Sequence, residues 1–349
     1  MGLFTKDETI LGVDIGSTSI KLVELLKSGA RYNLMTYGYA EKSIGDLIRD
    51  DPNEVIVASG QLLKKLWQAS GAKSRVAVTA LPNFSVFNSV ITLPKMTEKE
   101  AAEAIQWEAK KLIPLPIEDV ILDWKILEEM TVTSTQPETS AKQKEALVLG
   151  DYSLLASQRA AQQDAMIKKE RVYRILLTAA SKNLIKRYVE VFKLADLQLA
   201  SLETEAFALA RVFLQNEKGN IMIVDTSAVS TDIVIIENGV PVINRSIDIG
   251  GVHITQAIAD ALHIDFDMAD QFKKDIGLMT SETPNAVPQV IDTAMKPIVD
   301  EVKYSLYLYK TQTGKSVEKI ILSGGSAYLP NLTDYFFAAT NIKVFIGNP

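Results

Sequence analysis

The sequence predicts an α/β fold made of two related lobes. Residues 11–26 read as two β-strands joined by a turn that carries Asp14, and residues 219–246 repeat this order around Asp225, about 210 residues further on. A third turn, "SGGS" at 323–326, follows an apolar strand and precedes a predicted helix. A repeat over this distance indicates duplicated lobes and not a short-period solenoid. We therefore predict that both lobes present an aspartate-bearing turn to a shared cleft.

Composition excludes several classes of function. The net charge of −6 provides no basic field for nucleic acid or an anionic membrane. The absence of cysteine excludes a disulfide framework, a zinc finger and a thiol nucleophile, and favours a reducing compartment. The polar N-terminal stretch "TKDET" does not read as a signal peptide, and no apolar run is long enough to span a membrane. We expect a cytoplasmic protein that neither enters the membrane nor binds nucleic acid.

The first half of the chain contains a unit of different character. Strands are predicted over 11–26, in "RYNLMTYGYA" and in "RVAVTAL", with a helix over 53–69. Residues 84–128 then read as strand, helix and strand, and the helix opens with a capping box formed by Thr97 and Glu100. This unit is predicted to be a small subdomain inserted into the first lobe. Residues 131–145 are polar and predict a loop, whereas 153–170 are rich in helix formers.

Local signals in the second half are simpler. Ser181 is predicted to cap a helix that begins at residue 182, and "TEAFALARVFL" predicts another helix. The segment "HIDFDMADQFKKD" lacks the glycine and glutamate of a calcium loop, so Asp265 or Asp267 is interpreted as a helix cap. The "TGKS" at 313–316 lacks the earlier glycine and the strand of a phosphate-binding loop, and is rejected as one.

The aspartate-bearing turns predict a particular chemistry. An ionised aspartate at the end of an apolar strand is costly to desolvate unless a charge pairs with it. The small and hydroxyl residues after Asp14 supply N–H and O–H groups that suit an anion. Mg²⁺ between the carboxylate and a nucleotide phosphate satisfies both features. Glycines in the third turn allow close approach of a phosphate or nucleoside.

The order of the three turns resembles the actin/Hsp70/sugar-kinase superfamily, whose nucleotide lies between duplicated lobes. Within it, "DIGSTSIKLVEL", "QWEAKKLIPLPIEDVILDW", "ETEAFALAR", "DIGGVHITQAIA" and "ILSGGSAYLPNL" resemble the PilM family of actin-like cytoplasmic proteins of type IV pilus assembly. The resemblance implies an actin-like two-lobed ATPase fold with an inserted small α+β subdomain in the first lobe. The implied first lobe comprises residues 1–83 and 177–218. The implied inserted subdomain covers 84–176 and contains a long loop at about 130–168. The implied second lobe covers 219–349, and its smaller part covers about 250–310.

The resemblance also implies a ligand set. The ligands would be ATP and Mg²⁺, the metal being held by Asp14 and Asp225 largely through water. Asp225 and Glu205 would orient a water for hydrolysis, which we expect to be slow at most. The phosphates would be contacted by Ser17, Thr18, Lys21, Thr226, Ser227 and Ser230, the adenosine by Gly324, Gly325 and Ser326, and the ribose and base by Glu301 and Lys303. Relatives often have a glycine where this chain has Thr226 and Ser227.

The implied partner is the N-terminal cytoplasmic tail of a PilN-type inner-membrane protein, bound in a groove bordered by the inserted subdomain, together with other components of the pilus machinery. Two alternatives stay open. A small-molecule kinase of the superfamily would need a polar substrate pocket, but the inserted unit is rich in apolar residues. An FtsA-like cell-division filament protein would typically carry a basic amphipathic helix at its end, which "TNIKVFIGNP" is not. Head-to-tail self-association into a homo-oligomer is compatible with such lobes.

Overall fold

The computed structural model describes residues 8–29, 31–42, 51–135, 167–214, 218–279 and 286–348. The chain divides into two compact units. The larger unit comprises Met1–Asn88, Glu118–Ile121 and Ala179–Pro349, and the smaller comprises Ser89–Ile117 and Leu122–Thr178.

The described strands are β1 (Glu8–Ile15), β2 (Ser19–Ser28), β3 (Arg31–Glu41), β4 (Val76–Leu81), β5 (Val86–Pro94), β6 (Val120–Thr135), β7 (Ile167–Ser181), β8 (Gln198–Thr204), β9 (Asn220–Thr226), β10 (Thr231–Glu237), β11 (Val240–Ile247), β12 (Lys319–Ser323) and β13 (Lys343–Ile346). The described α-helices are α1 (Pro52–Ser70), α2 (Glu98–Leu112), α3 (Lys182–Leu194), α4 (Glu205–Leu214), α5 (Gly251–Leu262), α6 (Phe266–Ile276), α7 (Ala286–Thr313) and α8 (Leu332–Thr340). Short 3₁₀ turns occur at Asn83–Ser85, Ile117–Asp119 and Gly325–Tyr328.

The first sheet of the larger unit has the strand order β3-β2-β1-β4-β8. Strands β1, β2 and β3 are antiparallel neighbours, whereas β4 runs parallel to β1 and β8. Alternate residues of β1 and β2, such as Leu11 and Leu22, are buried against Leu63 of α1 and Phe192 of α3. This alternation is typical of a sheet whose one face packs on helices.

The second sheet has the order β11-β10-β9-β12-β13. One face packs on α5 and α7, where Met222 and Ile233 contact a core that includes Ile254 and Ile298. The other face packs on α4 through Ala206 and its neighbours. Because helices cover both faces, β9 and β10 are buried throughout their centres, and their sequences are continuous apolar runs.

The smaller unit contains most of a three-stranded sheet with the order β5-β7-β6, together with α2. The predicted capping box of α2 is present, since the Thr97 side chain accepts from the Glu100 backbone and the Glu100 side chain accepts from the Thr97 backbone. Exposed ion pairs within this unit join Lys95 to Glu129 at 2.8 Å and Arg174 to Glu128 at 2.8 Å.

Two expectations for this region were wrong at their edges. Strand β6 continues to Thr135, so the loop predicted from residue 131 does not begin there. Strand β7 begins at Ile167, so residues 167–170 are not helical as their composition predicts. Pairing of β7 with its two neighbours outweighs the weak intrinsic preference for helix. The remainder of both predictions, over residues 136–166, lies outside the described residues.

The predicted caps Ser181 and Asp265 are confirmed, because their side chains accept from the backbone N–H groups of Asn183 and Met268, respectively. Among the described helices, none combines the length and apolar character needed to cross a membrane.

Candidate functional site

The turn between β1 and β2 carries an ion pair. Asp14 and Lys21 are opposite each other in the antiparallel register, and Nζ of Lys21 lies 2.9 Å from Oδ2 of Asp14. About half of each side chain is exposed, so both charges are accessible to a ligand. Lys42 adds a second cation, since its Nζ donates to the carbonyl oxygen of Gly16 at 2.7 Å. The chain thus places two lysines beside the turn that contains Ser17 and Thr18.

The turn between β9 and β10 is held by its own serines. The Ser227 N–H donates to the Ser230 carbonyl at 2.9 Å, and the Ser230 N–H donates to Oγ of Ser227 at 3.2 Å. Thr226 is buried, and its hydroxyl lies 3.3 Å from Oγ1 of Thr231. The two serines are partly exposed whereas the threonine faces the interior.

Three backbone segments converge on this turn at distances that only glycine permits. A Cβ atom on Gly324, whose φ is +82°, would lie 2.3 Å from the Thr226 carbonyl oxygen. A Cβ atom on Gly250 would lie 2.6 Å from the Ser227 carbonyl oxygen, which also accepts from the Gly251 N–H at 2.9 Å. Gly251 in turn approaches Ser326, whose Oγ would lie 2.8 Å from an added Cβ. The turns at 226–230, 249–252 and 324–326 therefore form one backbone cradle.

A largely buried lysine lies beside this cradle. Lys273 of α6 has a side chain that is 13% exposed, and its Nζ lies 2.6 Å from Oδ1 of Asp270. The same Nζ donates to Oγ1 of Thr255 at 2.6 Å and to the Gly251 carbonyl at 3.2 Å. Burial alone would raise the pKa of Asp270, but hydrogen bonds from Lys273 and Lys274 outweigh it and lower the pKa to about 2. No sequence signal singles out Lys273, because an amphipathic helix commonly carries several lysines on its polar face.

Three acidic side chains of the larger unit have raised pKa values. Burial raises the pKa of Asp225, with a hydrogen bond to Ser323 opposing it and the charge of Asp14 adding to it. Burial also raises the pKa of Asp232, the cross-strand neighbour of Asp225, to about 6. Burial raises the pKa of Glu205 to about 8 against a hydrogen bond from the Asn83 N–H, and the charges of Asp232, Asp14 and Asp225 add to the rise. These carboxyl groups are close enough to repel one another.

The arrangement fits a magnesium ion held partly by ligands from outside the protein. No three acidic or histidine side chains of the described chain segments lie close enough to hold an ion by themselves. Desolvation disfavours the ionised form of Asp225, so a divalent cation would relieve its electrostatic cost. Mg²⁺ commonly keeps several waters and binds through one or two carboxylates plus substrate phosphates. Asp14 and Asp225 are suitable for this role.

Glu301 and Lys303, the predicted ribose and base contacts, both lie on α7. Glu301 pairs with Arg245 of β11, whose guanidinium lies 4.9 Å from the ring centre of Tyr304. Strands β10 and β9 separate β11 from β12, which leads into the Gly324 turn. Lys303 is exposed on α7.

Comparisons with known proteins agree with this architecture. The family model described as "Type IV pilus assembly protein PilM" matches residues 12–147 and 161–349. A solved PilM-PilN type IV pilus biogenesis complex is similar with a TM-score of 0.73 and 24% identity, covering 97% of this chain and 88% of that chain. The ethanolamine utilization protein EutJ from Carboxydothermus hydrogenoformans gives a TM-score of 0.51 and 16% identity, covering 98% and 85%. MreB 5 of Spiroplasma citri bound to AMPPNP gives 0.51 and 15%, covering 98% and 92%.

Two five-stranded sheets with these turns and neighbours define an actin-like fold, as the sequence predicted. The family match covers most of the chain, and the chain belongs to the type IV pilus assembly protein PilM family.

Proposed function

We propose that this protein binds ATP with Mg²⁺ between the Asp14 turn and the backbone cradle, and that it acts as a cytoplasmic adaptor in type IV pilus assembly. The observation that carries the proposal is the convergence of two glycine-dependent turns, at 249–252 and 324–326, on the turn that follows Asp225. Glycine at these positions lets the backbone approach a ligand without an intervening side chain. The AMPPNP in the MreB 5 structure supports a nucleotide as the ligand.

In this proposal each residue has a defined task. Lys21 and Lys42 attract the phosphates from the first turn, with Ser17 and Thr18 as hydrogen-bond donors. Ser227 and Ser230 donate from the second turn, and Thr226 supports its backbone. Gly324, Gly325 and Ser326 border the adenosine, with Lys273 beside Gly251. Glu301 and Lys303 contact the ribose and base. Mg²⁺ held by Asp14 and Asp225 supplies charge neutralisation at the phosphates.

Hydrolysis, where it occurs, is proposed to be slow. Glu205, with a pKa of about 8, is largely protonated at neutral pH and is then a weak base. The carboxyl group of Glu205 orients a water molecule through hydrogen bonds, and Asp225 accepts a hydrogen bond from this water on the opposite side. The protein is therefore proposed to use nucleotide binding, more than rapid turnover, to select one arrangement of its two sheets.

The partner proposed is the N-terminal cytoplasmic tail of a PilN-type membrane protein, which would recruit this chain to the inner face of the inner membrane with other pilus components. Support comes from the family match and from the similar solved complex, in which PilM is paired with PilN. The inserted subdomain is proposed to lie within residues 84–176 and to border the peptide groove. The first lobe would comprise residues 1–83 and 177–218, and the second lobe residues 219–349.

A binding experiment tests both parts. A fluorescent peptide with the sequence of the cognate PilN-type tail is titrated with the protein in the presence and absence of Mg-ATP, and a scrambled peptide of the same composition is the control. We expect saturable binding of the native peptide only, with an affinity that changes on addition of Mg-ATP. Equal affinity for both peptides would overturn the partner proposal. Absence of Mg-ATP binding in a parallel calorimetric titration would overturn the nucleotide proposal separately.

A further inference from the structure

Asn83 joins a turn of the first sheet to the helix that carries Glu205. It lies between β4 and β5 and is 2% exposed. Its Oδ1 accepts from the Ala206 N–H at 3.0 Å, while its own N–H donates to Oε2 of Glu205 at 3.0 Å. These two reciprocal hydrogen bonds between side chain and backbone have the pattern of a capping box, but the two residues come from distant segments of the chain. Asn83 therefore fixes both the first turn of α4 and the carboxyl group of Glu205.

Asn244 extends this connection to the second sheet. Its Nδ2 lies 3.4 Å from both the carbonyl oxygen and Oδ1 of Asn83. Asn244 is two residues from Ser246 on β11, and Ser246 donates to Asp232, the cross-strand neighbour of Asp225. Polar contacts thus run from Glu205 through the two asparagines as far as β11, the strand that also carries Ser246.

Two atoms of this pair remain unsatisfied. Nδ2 of Asn83 and Oδ1 of Asn244 are buried without a hydrogen-bond partner in the described chain. Exchanging N and O in the Asn83 amide would place a donor against the Ala206 N–H, so the orientation described is the favourable one. A buried donor and a buried acceptor on facing amides form a polar site for an ordered water.

We propose that Asn83 and Asn244, bridged by a buried water molecule, form a latch that positions Glu205 at the nucleotide site. This inference rests on the proposed function for its catalytic consequence, although the latch itself belongs to the protein without nucleotide. Opening the latch lets the Glu205 carboxyl group reorient. Hydrolysis, the step that this carboxyl group assists, then becomes slower. It leaves nucleotide affinity nearly unchanged, because neither asparagine belongs to the cradle or the Asp14 turn.

The test without nucleotide is the titration of the Glu205 carboxyl group, followed by NMR in protein labelled at glutamate and assigned with Glu205→Gln. The charged and titratable groups that face Glu205 are Asp14, Asp225, Asp232 and Tyr188, and they are unchanged in the variants. Asn83→Asp keeps the oxygen that accepts from Ala206 and Asn244, and adds a charge beside Glu205. Its matched control, Asn238→Asp, adds the same charge on an exposed turn.

We expect Asn83→Asp to raise the pKa of Glu205 by at least about half a unit and Asn238→Asp to leave it unchanged. Equal pKa values in both variants would overturn the positioning role. Asn244→Ala keeps the cap on α4 and provides a second test if Asn83 variants fold poorly. It should slow single-turnover hydrolysis about tenfold with Mg-ATP affinity unchanged within about twofold, and an unchanged rate would contradict the latch. If wild-type protein does not bind Mg-ATP, the proposed function fails while the titration still decides the latch.

Discussion

The carbonyl oxygen of Thr226 occupies the space that a side chain on Gly324 would need. An added Cβ atom would lie 2.3 Å from that oxygen, and the φ of +82° at Gly324 is itself unfavourable for other residues. Two turns that are about 100 residues apart in the sequence therefore touch through backbone atoms alone. The same contact makes the candidate cradle sensitive to a single methyl group.

Gly324→Ala is expected to disrupt this contact. We expect a loss of about 2–4 kcal/mol in the free energy of unfolding, because the strained φ and the backbone clash act together. Mg-ATP affinity should fall with it. Gly239→Ala is the matched control, since Gly239 has a φ of +83° and an added Cβ there meets no atom within 4 Å. Urea unfolding and calorimetric titration measure both quantities, and equal behaviour of the two variants would contradict the cradle.

Asp14→Asn is expected to separate binding from stability. The ion pair of Asp14 with Lys21 is about half exposed, so its loss should change the free energy of unfolding by less than about 1 kcal/mol. The proposed magnesium ligand is lost at the same time, and Mg-ATP affinity should fall at least about tenfold. Asp196→Asn removes another exposed ion pair, with Lys64, and serves as the control. A retained Mg²⁺ dependence in Asp14→Asn would contradict the metal assignment.

Glu205→Gln is expected to change how stability depends on pH. The pKa of Glu205 is about 8 in the folded protein and about 4.5 when unfolded, so the folded state binds more protons between these values. The contribution of this group to stability is complete below the unfolded pKa and is lost as pH rises through the folded pKa. The side chain of the Gln variant cannot ionise. At about pH 9 the free energy of unfolding of this variant should therefore exceed that of wild type by on the order of 2 kcal/mol.

The control for this prediction is Glu203→Gln, because Glu203 lies two residues away and pairs with Arg211. Urea unfolding at pH 5, 7 and 9 compares the three proteins. A wild-type decline between pH 5 and 9 that persists in Glu205→Gln would show that another group is responsible.

Lys273→Met and Lys274→Met are expected to differ although the residues are adjacent and both pair with Asp270. The Lys273 side chain is largely buried beside Gly251, whereas that of Lys274 is 64% exposed. Lys273→Met should lower Mg-ATP affinity about fivefold or more, since a buried cation beside the cradle is lost. Lys274→Met should have no measurable effect. Equal affinities in the two variants would exclude Lys273 from the site.

Local signals determined much of what the sequence could predict. The two aspartate-bearing turns lie at strand ends, as the apolar runs around them indicated, and the caps at Thr97, Ser181 and Asp265 follow from side chains that bond within three residues. The β6 and β7 ends were missed because strand pairing depends on partners distant in the sequence.

The duplicated order of strand, aspartate and hydroxyl turn can be predicted from the sequence, because hydrophobic periodicity and turn chemistry are local properties. The tertiary contacts, by contrast, decided that Gly250 and Gly324 press on the same turn, that Lys273 lies beside Gly251, and that Glu301 pairs with Arg245. It also decided the raised pKa of Glu205, since burial and the charges of three aspartates arise only when four segments meet. Such contacts depend on packing between distant elements, which no local pattern encodes.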